Sequence, residues 1–239
     1  MVAARRRTRA ALALSFLAGT AWAAPTGLNV IPTADLIPWH QLTLQIQNGN
    51  PDVNGDHPVY RAPQPVLQLQ CGLPEHLEAG LDVLPANPPA DDYRPALNVK
   101  WTPIAEGYRV PAIAVGAAQL GVGFQPTYYL VASRTLNFEQ IQYQKFRAHH
   151  RNIKLRGIRL HAGIMKTFNA WRAMLGTDIE VNDRFVLYAD WMSGRSDAVS
   201  IGGVFVIDHD DSVQASLLRA NDEDRLTGVL VAYTHTFSW

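Results

Sequence analysis

Residues 227–239 read Thr-Gly-Val-Leu-Val-Ala-Tyr-Thr-His-Thr-Phe-Ser-Trp. Side chains alternate between the faces of a strand, so Val229, Val231, Tyr233, Phe237 and Trp239 share one face. Ala232, Thr234, Thr236 and Ser238 share the other, with His235 breaking the apolar face and Leu230 the polar one. In water, so wide an apolar face needs a covering sheet or helix, as in the edge strand of a secreted β-sandwich. In a bilayer it needs none, because lipid covers the outside of a barrel while small polar groups face its lumen. The membrane barrel is the preferred reading.

The opposite end of the chain sets the compartment. Arg5, Arg6, Arg7 and Arg9 precede an apolar run over residues 10–18 and then Ala21-Trp22-Ala23. That order of basic, apolar and small residues predicts a cleaved signal peptide over residues 1–23. The run falls short of the ~20 residues of a membrane-spanning helix. Residues 24–40 are expected to form a periplasmic lead-in, and residues 41–239 the barrel. Cys71 is the single cysteine, which rules out an internal disulfide. The full chain holds 21 basic and 21 acidic residues, and loss of the four signal arginines leaves an acidic excess. Nucleic acid is therefore not an expected partner.

Taken in order, twelve strands can be read, most of them by period-two alternation. Leu42, Leu44 and Ile46 alternate with Thr43, Gln45 and Gln47 in the first strand, after a stretch that Pro32 and Pro38 keep from regular pairing. Strands follow at 67–73, 77–84, 96–102, 110–118, 127–135, 153–165, 173–180, 185–191, 199–207 and 212–218, and residues 227–239 close the set. The fifth and sixth are apolar on both faces, so their orientation stays open. The fold class is an all-β, antiparallel transmembrane β-barrel of about twelve strands, with roughly ten to fourteen as the range. With both termini in the periplasm, the connections at 74–76, 181–184 and 208–211 fall on the short-turn side. Residues 136–152 fall there too and are long, and their 140–146 stretch reads as a periplasmic flap or an extra strand.

With apolar faces outward, Glu78, Asp82, Asn98, Lys100, Arg159, His161, Asp178, Glu180, Tyr188, Asp190 and Gln214 point into the lumen. Charges of both signs suit an ion-paired plug better than a ring selective for one ion type. No cofactor or metal set is expected. His149, His150 and His161 lack a carboxylate at ligand spacing and read as solvated histidines. Ser193, Ser196 and Asp197 would need a histidine beside them to make a lipid hydrolase. Gly121-Val122-Gly123 lacks the third glycine and the helix of a dinucleotide site.

Two strings are similar to a known family. TGLNVIPTADLIPWHQ at residues 26–41 resembles the entry motif of the YjbH family, outer-membrane proteins associated with exopolysaccharide production. PAIAVGAAQLGVGFQPTYYLVASR at residues 111–134 is similar to that family's strand pair, and LGTDIEVNDRFVLYADW at 175–191 is a more generic barrel hairpin. Family members are typically much longer, so this chain corresponds to a single barrel. The resemblance implies a non-enzymatic part in envelope or exopolysaccharide biosynthesis or export, with polysaccharide or export components as partners. A small porin-like pore is the alternative, and an outer-membrane lipid-modifying enzyme a second one. The closing Tyr233, Phe237 and Trp239 also resemble the C-terminal assembly signal of bacterial outer-membrane barrels. This implies the barrel-assembly machinery and outer-membrane lipid as partners. Deleting Phe237, Ser238 and Trp239 should therefore sharply reduce the folded, heat-modifiable form in membrane fractions. Unchanged amounts of that form would remove the assembly role.

Overall fold

The structure, a computed structural model, describes residues 27–48, 65–85, 93–121, 124–136, 157–167, 170–194, 197–221 and 227–239. The signal peptide, His149, His150, Ser196 and most of the 136–152 segment lie outside these residues. Twelve strands run in chain order: β1 (Gln41–Asn48), β2 (Pro65–Leu73), β3 (Leu77–Pro85), β4 (Tyr93–Ile104), β5 (Ala112–Leu120) and β6 (Thr127–Leu136). They continue as β7 (Gly157–Thr167), β8 (Ala170–Asn182), β9 (Phe185–Met192), β10 (Ala198–Val206), β11 (Asp211–Ala220) and β12 (Thr227–Ser238). Each pairs antiparallel with its chain neighbours, and β12 returns to β1 with Gln41 opposite Ser238 and Gln47 opposite Ala232. The sheet is a closed transmembrane barrel. Closure leaves no unpaired strand edge facing hydrocarbon. Strands of 8 to 13 residues bracket the ~9–11 that a tilted strand needs to cross a bilayer.

Alternation sorts each strand's side chains between lipid and lumen. Leu81, Leu97, Leu130, Leu160, Ile201 and Leu217 stand exposed on the outer surface, while their chain neighbours Asp82, Ala96, Tyr129, His161, Ser200 and Leu218 are buried inside. The two strands with apolar residues on both faces are resolved by size. Ala112, Ala114 and Ala118 of β5 face inward with Tyr129 and Val131 of β6, and Tyr128 and Leu130 face out. A bulge near Gln119, whose φ is +59°, shifts the β4–β5 register; its N–H donates to Asn98 Oδ1 at 3.0 Å. Exposed aromatics gather at both ends of the wall. Trp101, Phe205, Phe237 and Trp239 lie at the end where β1 begins and β12 stops, here the terminal end. Tyr93, Tyr128 and Trp171 lie at the far end, so both interfaces carry an aromatic girdle. His235, the break in the apolar face, has Nδ1 2.7 Å from Asp211 Oδ1, and the Tyr233 hydroxyl donates to the same oxygen at 2.5 Å. The break is a polar cluster at the terminal rim.

The lead-in departs from expectation. Residues 27–37 are not outside the barrel but inside it, with Ile31 fully buried and Val30, Ala34 and Ile37 nearly so. The two prolines do prevent a ladder: among the described residues the lead-in makes only the isolated bridges Gly27–Pro32 and Trp39–Gly72. Broken chain with satisfied N–H groups fits a polar lumen, which a regular strand would overfill. A tight turn then brings the chain out to the wall. Gln41 N–H donates to Pro38 O at 3.1 Å, and His40 sits at φ +66° in the position where such turns call for the left-handed region. Gly72 makes the exit possible, because a Cβ there would overlap the carbonyl oxygens of Ile37 and Pro38. Gly72→Val should therefore push residues 37–39 off the wall, at about 1–3 kcal/mol of strain. The temperature at which the compact gel band converts to the unfolded one should fall. Gly107→Ala, where a Cβ meets nothing within 4 Å, should leave it unchanged.

Candidate functional site

Strands β3 and β9 lie six places apart in the ring of twelve, on opposite walls. Residues 27–37 cross the lumen between them. At β9, Asp190 Oδ2 accepts the N–H groups of Asn29 and Val30, each at 2.7 Å, and of Ile31 at 3.4 Å. The Ser200 hydroxyl donates to Asp190 Oδ1. The local fold aims these donors. Leu28 N–H bonds Ile31 O at 3.0 Å, and the resulting turn points successive N–H groups to one side, a backbone nest for an anion. At β3, Glu78 Oε2 accepts the Ile37 N–H at 2.8 Å. Midway, Ala34 N–H donates to Ser133 Oγ on β6 at 2.9 Å, and Thr102 on β4 donates to Ala34 O at 3.1 Å. Ile31 and Leu28 settle over Gly176, where any Cβ would strike their methyl groups.

All the charged residues expected in the lumen except Glu180 lie buried or half-buried on the inner face, and most pair. Lys100 and Glu78 are cross-strand neighbours, both without solvent exposure, with Nζ 3.4 Å from Oε1. Arg159 lies opposite Asp178 in register, yet its guanidinium turns to Asp35 of the segment at 2.8 Å and to Glu106 at 3.4 Å. Asp178 instead takes His161 Nε2 at 2.7 Å. Asn98 donates to Asp82 at 2.5 Å, and Gln214 donates to the Tyr188 hydroxyl at 2.8 Å. Glu180 has the inward parity but sits exposed near the terminal end, so it takes no part in the packed interior. The sequence reading expected an ion-paired plug made from the wall charges. It missed Asp35, Glu106, Ser133 and Ser200, of which Ser133 and Ser200 could have been found from inward parity.

Ser133, His161 and Asp178 form a Ser–His–Asp chain, with Ser133 Oγ 2.7 Å from His161 Nδ1. Its surroundings make it a latch. Ser133 is fully buried, and its oxygen already accepts the Ala34 N–H. One consistent proton arrangement has Ala34 donating to Ser133, Ser133 to His161, and His161 to Asp178. Ser193 and Asp197 are also occupied structurally. Ser193 Oγ accepts the Ala173 N–H at 2.7 Å, and Asp197 pairs with Arg172 at 2.9 Å. Burial pushes the Asp197 carboxyl above its ordinary range, against the opposing pull of Arg172.

The two halves of the lumen differ. Toward the far end, Val66, Leu84, Tyr129, Met174, Leu218 and Leu230 face inward and are buried beside the polar Gln47, Asp82, Asn98, Thr127 and Ser200, so the interior there mixes apolar and polar groups. Val30 and Ile31 pack into this layer. Beside the segment lies a cavity of about 280 Å³, walled by Gln45, Gln47, Gln68 and Gln70 with Thr43 and Thr234.

No family model and no curated protein matches this chain. Among solved structures it is similar to the KdgM porin, at 9% identity and a TM-score of 0.49, over 82% of this chain and 99% of that one. The same figures hold for the KdgM porin in complex with disordered oligogalacturonate.

Asp190 is the group whose loss should be felt most. Hydrogen bonds to a charged partner contribute about 1.5–3 kcal/mol each. Asp190→Ala orphans three N–H groups and should destabilise the folded barrel by about 3 kcal/mol or more, read as a lower urea midpoint in detergent. Residues 27–37 should also become open to protease, whereas Asp183→Ala, in the β8–β9 turn, should leave them protected.

Proposed function

We propose that this protein is a non-enzymatic outer-membrane barrel that serves as a closed, gateable passage for hydrophilic solutes of the cell envelope. The observation that carries it is the N-terminal segment folded across the lumen beside a polar cavity. Several features support an outer-membrane site: a closed sheet, an apolar outer surface, two aromatic girdles and the predicted signal peptide. A twelve-stranded barrel falls between those of about eight strands, which side chains just fill, and those of sixteen to eighteen, which leave a channel. Here the chain itself occupies the difference. The resemblance of residues 26–41 to the YjbH entry motif supports a role beside exopolysaccharide export, and it falls on the segment that closes the lumen.

Purified protein in planar bilayers should show little steady conductance. Deleting residues 27–37 should raise the mean conductance at least tenfold. Replacing Lys100 and Arg159 together by Met leaves Glu78, Asp35 and Glu106 without their cations, and should open or destabilise the barrel. A large, stable conductance of the unaltered protein that neither change affects would overturn the closed-passage reading.

A further inference from the structure

The cavity beside the segment has a composition that selects its occupant. On the wall, one cross-strand rung runs Gln68–Gln45–Thr234, and the next inward rung runs Gln70–Thr43–Thr236. Strands lie ~4.8 Å apart, and every second residue along a strand lies ~6.8 Å away, so these groups form a regular grid. Primary amides and hydroxyls each offer donors and acceptors. Gln47 and Gln68 are more than nine-tenths buried, and with Gln45 they line the cavity. Asn29, also on the cavity wall, has a buried Nδ2 without a partner. A buried polar group left unsatisfied is costly, so this amide beside a row of others points to a hydrogen-bonding guest.

The charges narrow the class. Among the described residues, the only ionisable groups on the cavity wall are Asp35 and Asp178, and both are carboxylates. Each already faces a cationic or imidazole partner, Arg159 for Asp35 and His161 for Asp178. An anionic guest would meet two carboxylates, while the cation beside them, Arg159, is already taken by Asp35 and Glu106. A cationic guest would compete with partners already in place. A neutral guest rich in hydroxyls meets none of these difficulties, because each hydroxyl can both give and take a hydrogen bond with the amide grid. We infer that the cavity is a binding site for uncharged oligosaccharide. This rests on the closed-passage reading and names the solute class for it.

Maltopentaose can serve as the neutral probe, pentagalacturonic acid as the acidic one and chitopentaose, fully deacetylated, as the cationic one. Each would be titrated calorimetrically into the full chain in detergent micelles at neutral pH. Maltopentaose should bind, and the acidic and cationic pentamers at least tenfold more weakly. Gln45→Leu with Gln68→Leu should weaken maltopentaose at least tenfold while the heat-modifiable gel shift persists. Gln45→Glu, which keeps the side chain's shape, should widen the preference against the acidic pentamer. Equal or tighter binding of a charged pentamer, or no binding of maltopentaose by protein that shows the gel shift, would overturn the inference. Conductance separates the two readings. If deleting residues 27–37 opens the barrel and maltopentaose still fails to bind the unaltered chain, the saccharide site falls and the closed passage stands.

Discussion

One buried carboxylate organises the interior. Asp190 gathers three backbone N–H groups and a serine hydroxyl, and through them it holds the start of a segment that would otherwise have no reason to leave solvent. A buried charge is tolerable only when its lone pairs are filled, and a proline-broken chain inside a barrel is tolerable only when its N–H groups are filled. Each solves the other's problem. The remaining contacts follow from that placement: Ile37 reaches Glu78, Ala34 reaches Ser133, and Asp35 comes within reach of Arg159.

The same constraint explains why the ion pairs are not the ones that register alone predicts. Arg159 and Asp178 are cross-strand partners, and on an empty wall they would pair. With the segment present, Asp35 is a second carboxylate in reach of Arg159, and His161 is free to take Asp178. Charge on the wall is thus divided between holding the wall and holding the segment. Lys100 serves both, since its partner Glu78 also accepts the Ile37 N–H.

The barrel was legible in the sequence because a strand between lipid and lumen must alternate, and most of the twelve stretches do. The inward parity of Asp82, Asn98, Lys100, His161 and Asp190 came with it. Three things were not legible. Residues 27–37 have no period, and they attach through backbone N–H groups that leave no mark on side-chain identity, so a place outside the barrel looked natural. The partners Ser133 and Ser200 are small and uncharged, and a serine facing a lumen reads as filler. The inward Met174 and Leu218 share parity with Asp178 and Gln214, and an apolar side chain on a mostly polar face reads as an exception rather than as packing. The functional class was less legible than the fold, since a lumen's chemistry depends on groups brought together from seven or more strands.

The segment's anchors at β9 and β3 lie at opposite points of the ring. A bar fixed across a hoop sets its diameter and resists its flattening into an oval. A hydrogen-bonded sheet is stiff along its strands but bends more readily around the ring, so this is the deformation a bare barrel of this girth resists least. The bracing is one-dimensional: it stiffens the axis from β3 to β9 and leaves the perpendicular one to side-chain packing. Freeing either end would release the oval mode without expelling the bar, so the bore could change shape while its occupant stayed inside.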